Sequence, residues 1–158
     1  MVDPDVVAPF TKTLIHVFRN AVDHGIEIPD DRVAQDKHEV ANMSCRVEWD
    51  GQNVCIVISD DGKGIDFERI KARAVELGIL TEGVSLSSKQ TENLVFHEQL
   101  SSKDDVTDLS GRGVGLSAVK DALDKLQGMV EIDTTCGKGT SFRFQLPGLE
   151  VEGDTETP

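Results

Sequence analysis

Between Pro4 and Ile26 the apolar positions recur at helical spacing, with Phe10, Leu14, Val17, Phe18 and Ala21 on one side. The spacing predicts one long helix, ended by Gly25 and Pro29. From Met43 the period changes to two: Met43, Cys45, Val47 and Trp49 alternate with Ser44, Arg46 and Glu48, the pattern of a half-buried strand. Asp50-Gly51 marks a hairpin turn, and the unbroken apolar run Val54 to Ile58 predicts a strand buried on both faces. That strand stops at Ser59-Asp60-Asp61-Gly62.

A second helix is expected over Phe67 to Leu77, with Phe67, Ile70, Ala74 and Leu77 on one face and Gly78 at its stop. Residues 79–110 are polar, Ser-rich and weakly periodic, which predicts a long mobile segment anchored by Leu94, Val95 and Phe96. The glycines of Gly111-Arg112-Gly113-Val114-Gly115 open a third helix whose stripe is Leu116, Val119, Leu123 and Leu126, ending at Gly128. Two strands, Met129 to Thr134 and Thr140 to Leu146, close the domain around a Gly137-Lys138-Gly139 turn. There is no internal repeat. The elements sum to an α+β domain over residues 1–147, a small mixed sheet with helices on one face, and an acidic tail over 148–158 that is expected to be disordered.

Composition narrows the function. A length of 158 residues with 38% apolar content suits one domain with one core. A formal charge of −13 argues against nucleic-acid partners, because such a surface repels phosphates. An anionic ligand then needs a local device, such as backbone N–H groups at a helix start together with a divalent cation. Cys45, Cys55 and Cys136 are odd in number and lack ligand spacing, so neither a disulfide framework nor a zinc site is expected. No apolar run approaches the roughly 18 residues of a membrane span, and no signal sequence is visible, which points to the cytoplasm.

Three segments carry candidate chemistry. On the first helix His16, Asn20, Asp23 and His24 fall within an arc of roughly 100° beside the apolar stripe. They form either a solvated helix face or a metal and phosphate site in which Asn20 offers a neutral oxygen to Mg²⁺. Asp60 ends the most buried strand in Asp60-Asp61-Gly62-Lys63-Gly64, where a rigid carboxylate could accept a hydrogen bond from an adenine amino group; the same residues also describe an ordinary turn. Gly111-Arg112-Gly113-Val114-Gly115-Leu116 places glycines directly before a helix, as a phosphate-holding loop or as a plain linker. It is neither a dinucleotide fingerprint nor a P-loop.

In this order, with Gly137-Lys138-Gly139-Thr140 last, the motifs resemble those of the histidine kinase, gyrase and heat-shock chaperone ATPase superfamily, and most closely the kinase domain of the CheA-type chemotaxis histidine kinases. The resemblance runs from about Thr11 to Pro147. Its most specific stretch is His16 to Glu27, similar to the family's N box with an Asp23-His24-Gly25 ending, and Val106 to Gly115 is similarly close. The resemblance implies a two-layer Bergerat-type fold with ATP and Mg²⁺ as ligands. It puts Asn20 on Mg²⁺, Asp60 on the adenine amine and Thr140 on the adenine side. Asp23, Gly62, Gly64, Ile65, Gly111, Arg112, Gly113, Val114, Gly115 and Leu116 would shape the nucleotide pocket. His16 stands where hydrolytic branches carry a water-activating Glu, and His24 would approach the phosphates. The stretch His97 to Lys103 departs from the family's hinge, and Leu116-Ser117-Ala118-Val119-Lys120 lacks the expected acidic residue.

The implied activity is transfer of the ATP γ-phosphate to a histidine on a separate acceptor domain, with a response regulator further downstream. His16 and His24 lie in the nucleotide motif and His38 and His97 in apparent loops, so the acceptor is expected in trans. Two other functions fit the same sequence: a nucleotide-gated switch that transfers no phosphate, and an anti-sigma-factor-like serine kinase.

Overall fold

A computed structural model describes residues 4–101 and 115–148. Four strands, β1 (Met43–Trp49), β2 (Asn53–Asp60), β3 (Met129–Thr135) and β4 (Gly139–Pro147), form one sheet in the order β1-β2-β4-β3. The expected α+β layering holds, but every pairing is antiparallel, where a mixed sheet was expected. The β1–β2 and β3–β4 pairs are hairpins, while the helical connection from β2 crosses to β3 on the far side of β4; β2 and β3 run parallel but do not pair, so no parallel ladder forms.

The helices are α1 (Pro4–Thr13), α2 (Ile15–Asn20), a π turn (Ala21–Gly25), α3 (Pro29–Ala34), α4 (Phe67–Glu76), α5 (Ser88–Val95), α6 (Glu98–Ser101) and α7 (Leu116–Lys125). The single helix expected over residues 4–26 is thus interrupted at Leu14. The Thr11 and Thr13 hydroxyls donate to the carbonyls of Ala8 and Phe10, three residues back, a habit that bends helices. Pro29 does end this run, but it also occupies the first turn of α3, a position that suits a residue with no N–H.

Residues 88–101 correct the expectation of a mobile segment. Ser87 and Gln90 form a reciprocal capping box that starts α5, and Thr91, Leu94, Val95 and Phe96 are buried. Phe96 meets Phe142 edge-on at 6.1 Å, so this segment is part of the core. Residues 79–87 form bends and a turn with no helix or strand, while residues 102–110, the expected loop Gly111 to Val114 and residues 149–158 of the acidic tail lie outside the described residues.

The core lies between the helices and one sheet face. Ile56, Ile58, Val130, Phe142, Phe144 and Leu146 meet Phe10, Leu14, Val17, Val95, Phe96, Leu116, Val119 and Leu123. On the opposite face Cys55 and Val57 are also buried, as the apolar run predicts. Their neighbours across the strands are Arg46, Glu48, Arg143 and Gln145, whose long stems cover them while Glu48 pairs with Arg143 at 3.5 Å. The half-buried reading of β1 fails: Val47 and Trp49 are 69% and 56% exposed. Both point to the helix side, in register with Ile56 and Val54, but β1 is the sheet's edge.

Candidate nucleotide-binding site

Strand periodicity carries the helix-facing layer past the core. On β2 the face that holds Ile56 and Ile58 next holds Asp60, and on β4 the face of Phe144 and Phe142 next holds Thr140. Register pairs Asp60 with Thr140, which sets a carboxylate and a hydroxyl side by side at one end of the sheet. A cleft of about 810 Å³ opens there, within the size range of small-molecule sites. Asn20 and His24 reach it from the first helical run, and Arg69, Ile70 and Arg73 from α4.

The turn that follows Asp60 is gripped from two sides. The Lys63 N–H donates to the Gly25 carbonyl at 2.8 Å, tying the turn to the end of the π turn. On the other side the Gly137 N–H donates to the Lys63 carbonyl at 2.7 Å, and the Ile65 N–H donates to the Thr134 hydroxyl at 2.8 Å. Thr134 and Thr140 share a hydroxyl contact of 3.0 Å, so the turn and the buried Thr140 are linked. Gly62 and Gly64 are required by these crossings. A Cβ on Gly62 would sit 2.2 Å from the Gly25 carbonyl oxygen, and one on Gly64, at φ +77°, would sit 2.4 Å from that of Thr135.

Asp60 is half-buried, and its Oδ1 accepts the Gly62 N–H at 2.9 Å. Among the described residues no side chain donates to it. Burial pushes its carboxyl above the usual aspartate range; the Gly62 and Thr140 N–H groups pull it back, and the charges of Asp61 and Glu27 push it further up.

A buried ion network that the sequence did not disclose backs this turn. Arg32 is 1% exposed and Glu27 6%. Arg32 pairs with Glu27 at 3.1 Å and with Asp61 at 3.0 Å, and its Nε donates to the His38 carbonyl at 2.8 Å. Lys37 donates to Glu27 Oε1 at 2.6 Å and to the Asp61 and Gly62 carbonyls at 3.0 and 2.8 Å. Burial raises the Glu27 carboxyl, but the Lys37 hydrogen bond and the two cations outweigh it and hold Glu27 below its ordinary value. Asp61 is likewise raised by burial and lowered further by the Asn42 N–H and Arg32, with the net shift downward.

Of the expected site residues, Asn20, His24, Asp60, Gly64, Ile65 and Thr140 line the cleft. Gly62 is buried behind it in the turn, and Leu116 is in the core. His16 is half-buried and Asp23 exposed, and neither is among the lining residues. Gly115 precedes α7 without a side-chain cap, while Gly111, Arg112, Gly113 and Val114 lie outside the described residues. Lys63 and Arg69, which the motifs did not single out, line the cleft without an ion pair among the described residues. These two cations are the local positive charge that an acidic chain needs to admit an anion.

A two-layer domain with this cleft, floored by a strand-end carboxylate and walled by an Asn/His helix, defines a class. The chain belongs to the histidine kinase-, DNA gyrase B- and HSP90-like ATPase family, whose family model matches residues 11–150. Within that family it is similar to the chemotaxis kinases. Chemotaxis protein CheA of Halobacterium salinarum is 40% identical over 147 residues, 92% of this chain and 22% of the relative. CheA of Klebsiella aerogenes is 41% identical over 145 residues, again 92% and 22%. The chain thus spans about a fifth of the length of these relatives, and the resemblance read from the N box is borne out. Among solved structures, the catalytic domain of histidine kinase ThkA shares the fold, with a TM-score of 0.51 at 17% identity, over 93% of this chain and 70% of that one. Family membership makes this an ATP-binding domain. Among the described residues no helix is long and apolar enough to cross a membrane.

Proposed function

We propose that this domain binds Mg-ATP in the cleft and transfers the γ-phosphoryl group to a histidine on a separate acceptor domain, in the cytoplasm, as the kinase module of a CheA-like two-component system. The observation that carries the reading is Asp60: a half-buried carboxylate at the cleft floor, held by a backbone N–H and in register with Thr140, without a side-chain donor among the described residues. Such a group suits the amino edge of adenine, with the Thr140 hydroxyl beside it. The phosphates would then extend toward Asn20, His24, Lys63 and Arg69 on the cleft wall.

No group of three or more His, Cys, Asp or Glu side chains that could hold a metal occurs among the described residues. Mg²⁺ takes few protein ligands and fills its octahedron with water and phosphate oxygens, so the single amide oxygen that Asn20 offers at the cleft wall fits it. Asn20 would hold it, and the ion would supply charge neutralisation on the phosphates. Phosphoryl transfer asks mainly for positioning and charge stabilisation, and the cleft residues provide for both. His16 and Asp23 would flank Asn20 along the helical run.

The test is incubation with γ-labelled ATP, Mg²⁺ and a histidine-bearing acceptor domain. Acid-labile label on the acceptor is the expected result. Acid-stable label would instead identify a hydroxyl kinase, and nucleotide binding with no transfer a gated binding module. Asn20→Ala, which removes the side-chain oxygen, is expected to abolish the Mg²⁺-dependent gain in ATP affinity while leaving adenosine binding unchanged, both read by calorimetry. An equal loss for adenosine would remove Asn20 from the metal site.

A further inference from the structure

The network behind the Asp60 turn is more elaborate than burial of a charge pair requires. Lys37 has three ammonium protons, and each finds an acceptor: Glu27 Oε1, the Asp61 carbonyl and the Gly62 carbonyl. Two of the three are backbone oxygens of the residues directly after Asp60. The Asp61–Gly62 peptide unit is therefore fixed at both ends, its Asp61 carbonyl by Lys37 and its Gly62 N–H by Asp60 Oδ1, and Lys37 also holds the next carbonyl, that of Gly62. Glu27 holds Lys37 in turn, Arg32 holds Glu27, and the Arg32 fork also reaches the Asp61 carbonyl at 3.3 Å. Four charges, two of each sign, are balanced within the cluster.

We propose that Lys37 is a positioning residue for purine recognition: by fixing the Asp61 and Gly62 carbonyls it sets the Gly62 N–H that orients the Asp60 carboxylate, and so determines the preference for adenine over guanine. This rests on the reading of the cleft as an adenine nucleotide site. Lys37 itself is not among the cleft-lining residues, so it acts through the turn and not by contact with the base. A carboxylate accepts from the amino group of adenine and repels the carbonyl oxygen that guanine carries at the same place. Discrimination therefore depends on where that carboxylate is held, whereas the affinity for the phosphates does not.

The experiment measures dissociation constants of the whole chain for ATP and GTP, by calorimetry, for the parent protein, Lys37→Met, Lys37→Gln and Lys37→Arg. Lys37→Met is expected to reduce the ATP-to-GTP affinity ratio by about tenfold, the scale of one misplaced hydrogen bond to a charged group. Lys37→Gln, which keeps donors near the carbonyls, is expected to fall between, and it carries the test if Lys37→Met does not fold by circular dichroism. Lys37→Arg, which retains the charge, is expected to recover part of the ratio. A ratio unchanged in the folded variants, with both nucleotides weakened equally or not at all, would show a structural role only and overturn the proposal. Failure of the underlying reading looks different: the parent protein itself would show no preference for ATP, which would also remove the proposal.

Discussion

Asp60→Asn is expected to lower ATP affinity by about tenfold to a hundredfold, the worth of one hydrogen bond to a charged group in a half-buried site. The carboxylate offers only acceptors to an incoming amino group, whereas an amide presents its own N–H₂ to at least part of that edge. The same substitution is expected to leave the fold as stable as before, or more so. Burial is the main cause that raises the Asp60 carboxyl above the 3.8 of an unperturbed aspartate. A raised carboxyl contributes stability that is complete below pH 3.8 and lost as the pH climbs through its folded value, because ionisation then costs more in the folded protein than in the unfolded chain. Asparagine never ionises and carries no such loss. The stability difference between variant and parent, from urea unfolding, should therefore shift in favour of Asn as the pH rises from 3.8 toward neutrality. Weaker nucleotide binding without destabilisation identifies a group held in place for a ligand. Unchanged ATP affinity, or a variant less stable at neutral pH than in acid relative to the parent, would instead make Asp60 a turn residue.

The legible parts of this molecule were those whose signal is local. The apolar run Val54 to Ile58 predicted the central strand, and the carboxylate at its end was recognisable as a floor residue because a buried strand leaves few ways to place Asp60. The alternation Phe142, Phe144, Leu146 and the stripe Leu116, Val119, Leu123 met in the core as expected. Ser87 to Gln90 held a capping box that a Ser-rich composition masked, so α5 was readable in principle. The exposure of Val47 and Trp49 was not readable, because alternation fixes a face but not whether a strand is central or at the edge. Nor was the ion network. Arg32 and Lys37 find their backbone acceptors at Asp61 and Gly62, 24 to 29 residues away, and in the sequence they look like ordinary surface charges in a polar connection. Only the fold brings the Gly25 end of the helix against the Asp60 turn, and only there does a charge near residue 30 acquire a bearing on the cleft.

That network also carries the largest stability effect expected in the protein. Arg32→Met should destabilise the fold by about 3–5 kcal/mol, the cost of leaving buried charges without their partner, even though methionine fills similar volume. Glu27 would lose one of its two cations and Asp61 the one it has among the described residues, and the His38 carbonyl would lose its Arg32 donor. The pH dependence separates this from lost packing. Burial raises both carboxyls, but Lys37, Arg32 and the Asn42 N–H outweigh it, so Glu27 and Asp61 lie below 4.5 and 3.8 respectively. A carboxyl lowered in the folded state contributes stability that is present above its unfolded value and disappears as the pH falls through its folded one. The parent should therefore lose stability in acid below about pH 4.5, where Glu27 begins to regain its proton. In Arg32→Met that contribution is already diminished, so variant and parent should converge on acidification. Urea midpoints of the two proteins at pH 7 and at pH 3.5 give the comparison. A gap of the same size at both would mean that Arg32 stabilises by its bulk alone, and that the charges around it do not hold the Asp60 turn.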